Sequence, residues 1–219
     1  NQAEQMPARH DTAISPVISL WAGLWVAGFI SVLTWSVIGP ADYTTWALEA
    51  FPAIIGFIIL AFTRRQFPLT TLCYVLILLH CWVLLVGAHY TYAEVPLFDA
   101  IRDIFGQSRN NFDKLGHFMQ GFVPAIICRE IIIRFDIISS RFFTHFFTLC
   151  FCLALSALYE LLEWWVALLS EEAADAFLGT QGYVWDTQSD MAWALFGALT
   201  AILLLGGYHD AQIKRMPNR

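Results

Sequence analysis

The chain has 219 residues, 58% of them hydrophobic and 14% charged, with a net charge of −6. A soluble domain of this length is typically about half apolar and about a quarter charged. The composition excludes an ordinary water-soluble globule, and no nucleic-acid partner is expected of it.

Taken in chain order, the first apolar run is Val17–Ile38, "VISLWAGLWVAGFISVLTWSVI", 22 residues without a charge. A helix needs roughly 20 such residues to cross a ~30 Å hydrocarbon core. The run is too long for a signal-peptide core of about 7–15 residues and no basic cluster precedes it, so a retained span is expected. A second span is expected at 46–63, with Glu49 and Pro52 near its start. The third, 67–88, lies in a 23-residue stretch, Gln66–Ala88, whose ionisable side chains are one histidine, one tyrosine and two cysteines. An outward-facing loop at 90–114 follows. Its segment Val95–Phe105 suits a short amphipathic helix lying in the interface, with Asp99, Arg102 and Asp103 on the water side. Further spans are expected at 115–134, 142–168 and 188–207, with an acidic loop at 170–187 before the last. The five cysteines fall inside spans and form no CxxC, which reads as small embedded hydrophobes. The fold expected is all-α: one transmembrane domain over 1–219, a bundle of six helices.

With the N-terminus inside, the inner segments carry Arg9, Arg64, Arg65, Arg129, Arg134, Arg141, Lys214, Arg215 and Arg219, nine of the twelve basic residues. The outer side keeps Arg102, Arg109 and Lys114. This asymmetry follows the positive-inside rule and places both termini in the cytoplasm. Trp164, Trp165 and Trp185 fall where an outer aromatic belt would sit.

The stretch "NNFDKLGHFMQGFVPAIICRE" then becomes informative. Asp113 and His117, four apart, share a helix face at the outer mouth of the fourth span. Glu160 and Glu163 lie in the outer part of the fifth, and Asp186 and Asp190 begin the sixth. Three helices thus bring carboxylates and an imidazole to one end of the bundle, where ionised groups are costly unless they meet partners or water. Three resolutions are open: a divalent cation, a network of salt bridges and protonated acids, or unrelated interfacial residues. As a metal site the ligands would come from Asp113, His117, Glu163, Asp186 and Asp190. As a catalytic site His117, Glu160 or Glu163 would supply the base. Arg102, Arg109 and Lys114 would receive a phosphate-bearing headgroup, and Gln120 would orient His117 from one turn below.

Other ionisable residues read more plainly. Glu130 and Arg134 make an ordinary helical ion pair. His80 reads as a satisfied polar residue of the bundle. His80 and His89 lie on opposite helix faces and cannot share one metal, and His80 has no clear opposite number on another helix except His145 at the inner end, so no haem is expected; nor is a nucleotide. The inner halves of the spans offer few ionisable groups, which disfavours a transport path.

"GAHYTYAEVPLFDAIRDIFGQSRNNFDKLGHFMQGFVPAIICRE", "YELLEWW" and "GTQGYVWDTQSDM" closely resemble the YjdF-type bacterial inner-membrane proteins, a small polytopic family, over Gly87 to about Gly207. More distantly, D-K-x-x-H-F at Asp113–Phe118, the glutamates at 160 and 163, and D-x-x-x-D at Asp186–Asp190 are similar to the VanZ-like superfamily, which is associated with cell-envelope phenotypes. VanZ-like chains usually show one glutamate followed by a basic residue, where this chain has Glu160 and Glu163 and no such residue. The resemblance implies a bacterial inner-membrane location. The function expected is binding or processing of a lipid or envelope headgroup at an outward-facing site, with membrane lipids as partners. The alternative is an accessory or scaffolding subunit of a larger membrane complex.

Overall fold

The computed structural model describes residues 16–169 and 181–216, and seven α-helices lie among them. They are α1 (Pro16–Val37), α2 (Tyr43–Thr63), α3 (Thr71–Tyr90), α4 (Pro96–Phe105), α5 (Phe112–Arg134), α6 (Arg141–Leu169) and α7 (Asp186–Ile213). No strand occurs among the described residues, so the all-α expectation holds. Arg9 and Arg219, and the acidic Glu171, Glu172 and Asp175, lie outside the described residues.

Local chemistry sets the helix ends. Asp42 caps α2 by accepting from the Thr45 backbone N–H at 2.7 Å, and that bond holds the Asp42 carboxyl below its usual range. Thr70 caps α3 through the Cys73 N–H. Pro96 opens α4, where its missing N–H costs nothing. Gly106, at φ 61°, closes α4 in the left-handed conformation that glycine tolerates best.

Five helices, α1, α2, α3, α6 and α7, are long and apolar enough to cross a membrane. The second run, with its glutamate and proline, meets that standard. The fourth expected span does not: α5 carries Asp113, Lys114, Arg129, Glu130 and Arg134. Its position explains the tolerance. α5 packs against α3, α6 and most extensively α7, so its polar groups meet protein rather than lipid. The α5–α7 seam is built from small residues. A Cβ on Gly121 would lie 1.7 Å from the Ala194 carbonyl oxygen, and one on Gly197 would lie 2.0 Å from that of Phe118. Ala194, Ala198 and Ala201 are fully buried along the same seam. α1 and α2 pack on α3. Large apolar side chains such as Leu24, Ile58, Phe62, Phe146 and Leu203 face outward, as lipid contact requires.

Candidate functional site

The helices alternate in direction, so residues distant in sequence meet at two ends. At one end the start of α2, the segment after α3, the start of α5, the end of α6 and the start of α7 converge. They surround a cavity of about 150 Å³ whose wall includes Glu49, His80, Asp113, His117, Glu163 and Asp190.

His117 is at the centre. Its Nδ1 lies 3.1 Å from Gln120 Oε1, an acceptor, so Nδ1 donates and the ring is held in one orientation. Nε2 then faces Asp113 Oδ1 at 3.3 Å, Glu160 Oε1 at 3.7 Å and Asp190 Oδ2 at 4.0 Å. Asp113, His117 and Asp190 each offer a ligand atom, all within 4.8 Å of one another. Glu160 is only 8% exposed, and its Oε1 has no hydrogen-bond partner among the described residues. Beyond His117 Nε2 at 3.7 Å this oxygen meets no donor among the described residues, so it calls for a cation or a proton.

Two cations stand behind these acids. Lys114 Nζ lies 2.7 Å from Asp186 Oδ1, 2.6 Å from Asp190 Oδ1 and 3.6 Å from Asp113 Oδ2. Arg109 pairs with Asp186 and, at 3.4 Å, with Asp113. Both cations are buried and stack beside the Tyr183 ring, each 5.8 Å from its centroid. Asn110, also buried, ties this corner together. It bonds the Val95 carbonyl and Asp99 in 90–105, and its backbone exchanges two hydrogen bonds with Gln181.

The residues expected at the site therefore divide. Asp113, His117 and Asp190 come together as one donor group, with Glu160 beside it. Asp186 does not join them, being engaged by Arg109 and Lys114. Glu163 lines the cavity but falls outside the donor group. Arg109 and Lys114, expected to hold a phosphate, are occupied by carboxylates instead. Arg102 is on α4, paired with Asp99 at 2.9 Å and Asp103 at 3.0 Å.

Sequence reasoning missed Glu49 and Tyr159 as cavity residues. Tyr159 donates to Glu49 Oε2 at 3.3 Å across 110 positions of sequence, a pairing no local pattern signals. Its account of His80 needs correction: Nε2 is buried without a hydrogen-bond partner among the described residues, not satisfied.

The opposite end corrects the expectation that ionisable groups are few there. Glu130 pairs with Arg134 at 2.8 Å as expected, but also accepts from the Thr70 backbone and hydroxyl, Cys73 and His209. Arg129 Nη1 lies 3.0 Å from His209 Nδ1, and Arg129 also pairs with Asp210. Arginine only donates, so Nδ1 accepts and His209 Nε2 carries the proton it gives Glu130 at 3.0 Å. Cys73, Glu130 and His209 lie close enough to hold a metal, yet the imidazole has no lone pair left for one. This cluster is a closed hydrogen-bonded clamp joining α3, α5 and α7.

The chain is similar to known membrane proteins over most of its length. The family model described as "Predicted membrane protein (DUF2238)" matches residues 22–211. The inner membrane protein YjdF of Escherichia coli (strain K12) is 48% identical over 184 residues, covering 84% of this chain and 88% of that protein. No solved structure matches. Neither match bears on the VanZ-like resemblance, but the YjdF-type resemblance is borne out: the chain is a polytopic membrane protein and belongs to the DUF2238 family.

Proposed function

We propose that this is an inner-membrane protein that holds a divalent cation at Asp113, His117 and Asp190 and uses it to bind or process the headgroup of a lipid or cell-envelope precursor. The single observation that carries the reading is the convergence of three donors from α5 and α7 beside the unpartnered Glu160 oxygen. Hard carboxylate oxygens with one imidazole suit divalent ions such as magnesium, manganese or zinc. Such an ion would polarise a headgroup oxygen or acidify a bound water. His117 cannot be ligand and base at once through Nε2, so Glu160 takes the base role. Gln120 keeps Nε2 presented. The inner-membrane location rests on the YjdF relative, and the basic-residue asymmetry supports an outer, non-cytoplasmic position for the site.

Elemental analysis of detergent-purified protein tests the reading. A stoichiometric divalent ion is expected in the native chain and its loss in His117→Ala, with expression and insertion unchanged. Native protein purified in divalent-supplemented buffer that carries no ion would contradict it.

A second reading, a non-catalytic subunit of a larger membrane complex, is favoured by the buried lattice of Arg109 and Lys114 with Asp113, Asp186 and Asp190. Under it the same alanine variant lowers stability or assembly, and no metal is present to be lost.

A further inference from the structure

We infer that the wall of the cavity built by Glu49, His80, Tyr159 and Glu163 receives the primary ammonium group of a membrane amphiphile, which deepens the headgroup reading above and rests on it.

The sign of the wall comes first. Among the described residues no lysine or arginine lines the cavity, whereas four carboxylates do: Glu49, Asp113, Glu163 and Asp190. Asp113 and Asp190 have cationic neighbours. Glu49 and Glu163 have no ion pair among the described residues, although Glu49 is only 6% exposed. A divalent ion at the His117 donors leaves these two acids uncompensated. A phosphate placed against Glu49 and Glu163 would meet repulsion from both carboxylates, so this part of the wall suits a cationic group.

Hydrogen-bonding capacity gives a second, independent argument. An ammonium group has three donors in a compact head. Tyr159 O–H steadies Glu49 through Oε2, and Glu49 Oε1 takes no hydrogen bond among the described residues. His80 lines the same cavity, and its Nε2, buried without a hydrogen-bond partner among the described residues, is a third acceptor beside the two carboxylates when the ring carries its proton on Nδ1. A buried polar atom without a partner is costly, and this ligand supplies the missing donor.

The cavity's apolar lining identifies the rest of the molecule. Pro52, Leu84, Pro124 and Leu155 share the space with the acids. α2 packs on α3 and α6 packs on α5 and α7, so the cavity lies between α2 and α6 with the Tyr159–Glu49 bond reaching across. An alkyl chain fits such a lining, and a free water-soluble amine would leave it uncovered.

Binding is measured on the full chain in a neutral maltoside detergent, by tryptophan fluorescence and thermal shift, with dodecylamine, dodecyl phosphate and ethanolamine as probes. Metal content is determined on the same preparations. The expected result is saturable dodecylamine binding, at least about tenfold tighter than that of either other probe, as loss of a charge-assisted hydrogen bond implies for dodecyl phosphate and loss of alkyl burial for ethanolamine. Glu49→Gln and Glu163→Gln should each weaken it by about tenfold or more while the metal content stays that of the native chain. Each is to be tested singly, so that one well-folded variant suffices. Equal or tighter binding of dodecyl phosphate overturns the inference. So does dodecylamine binding unchanged in both variants, and so does ethanolamine binding as tight as that of dodecylamine. Absence of metal with amine binding intact would instead fault the cation reading alone.

Discussion

At Gln120, a single acceptor oxygen decides what His117 can do. By taking the Nδ1 proton at 3.1 Å it turns Nε2 toward Asp113, Glu160 and Asp190. Replacing an orienting partner of this kind typically costs roughly 10–100-fold in metal affinity, so Gln120→Leu should weaken cation binding by that factor in equilibrium dialysis while leaving the fold intact. Lys114 makes the contrasting case. It alone touches Asp113, Asp186 and Asp190, and Lys114→Met would strand buried carboxylates, a change that costs about 3–5 kcal/mol when one member of a buried pair is removed. Arg102→Ala, which breaks only the partly exposed pairs with Asp99 and Asp103 on α4, should cost no more than about 1 kcal/mol in the same unfolding measurement. The contacts legible in the sequence at this scale are those four apart, such as Asp113–His117 and Glu130–Arg134, because helical periodicity alone places them. Glu49–Tyr159 and Glu130–His209 were not legible: they are joined by packing across 110 and 79 positions.

Among the elements, α5 shows why an apolarity reading both succeeds and falls short. The five apolar spans announce themselves by long runs with few charges, as a lipid-facing helix requires. α5 is the helix that lipid hardly sees, and its charges report protein on nearly all sides, which no hydropathy average conveys. Its seam with α7 is the element-scale weak point. Gly121→Ala would drive a methyl into the Ala194 carbonyl, backbone that cannot step aside, so the helices must separate. A loss of about 1–3 kcal/mol is expected, with a lower melting temperature in detergent and weakened cation binding, since α5 and α7 each supply ligands. The α2 cap gives a pH signature. Because folding depresses the Asp42 carboxyl, its contribution is present above the unfolded value of 3.8 and is lost as the pH falls through the lower folded value. Asp42→Ala should cost roughly 1 kcal/mol at neutral pH and progressively less below that range.

The whole molecule is a bundle with unlike ends. One end holds a clamp in which Glu130, His209 and Asp210 are engaged and Arg129 pairs through both terminal nitrogens, its Nε alone lacking a partner among the described residues. The other gathers Glu49, Asp113, Glu160, Glu163, Asp186 and Asp190 around a cavity, where Arg109 and Lys114 are the fixed cations among the described residues. The sequence reading reached the acidic end, because alternating helices must return every second end to the same side, but not the ionisable cluster opposite it. It could not distinguish a satisfied cluster from an unsatisfied one, since that depends on which donors reach which oxygens. Both clusters bring metal-capable groups within 4.8 Å, which makes them a matched pair for one decisive measurement. Crystals of the protein soaked in manganese and measured for anomalous scattering should show a peak at the Asp113, His117 and Asp190 oxygens and nitrogen, and none at Cys73, Glu130 and His209. A peak at the second cluster, or none at the first under saturating manganese, would contradict the account.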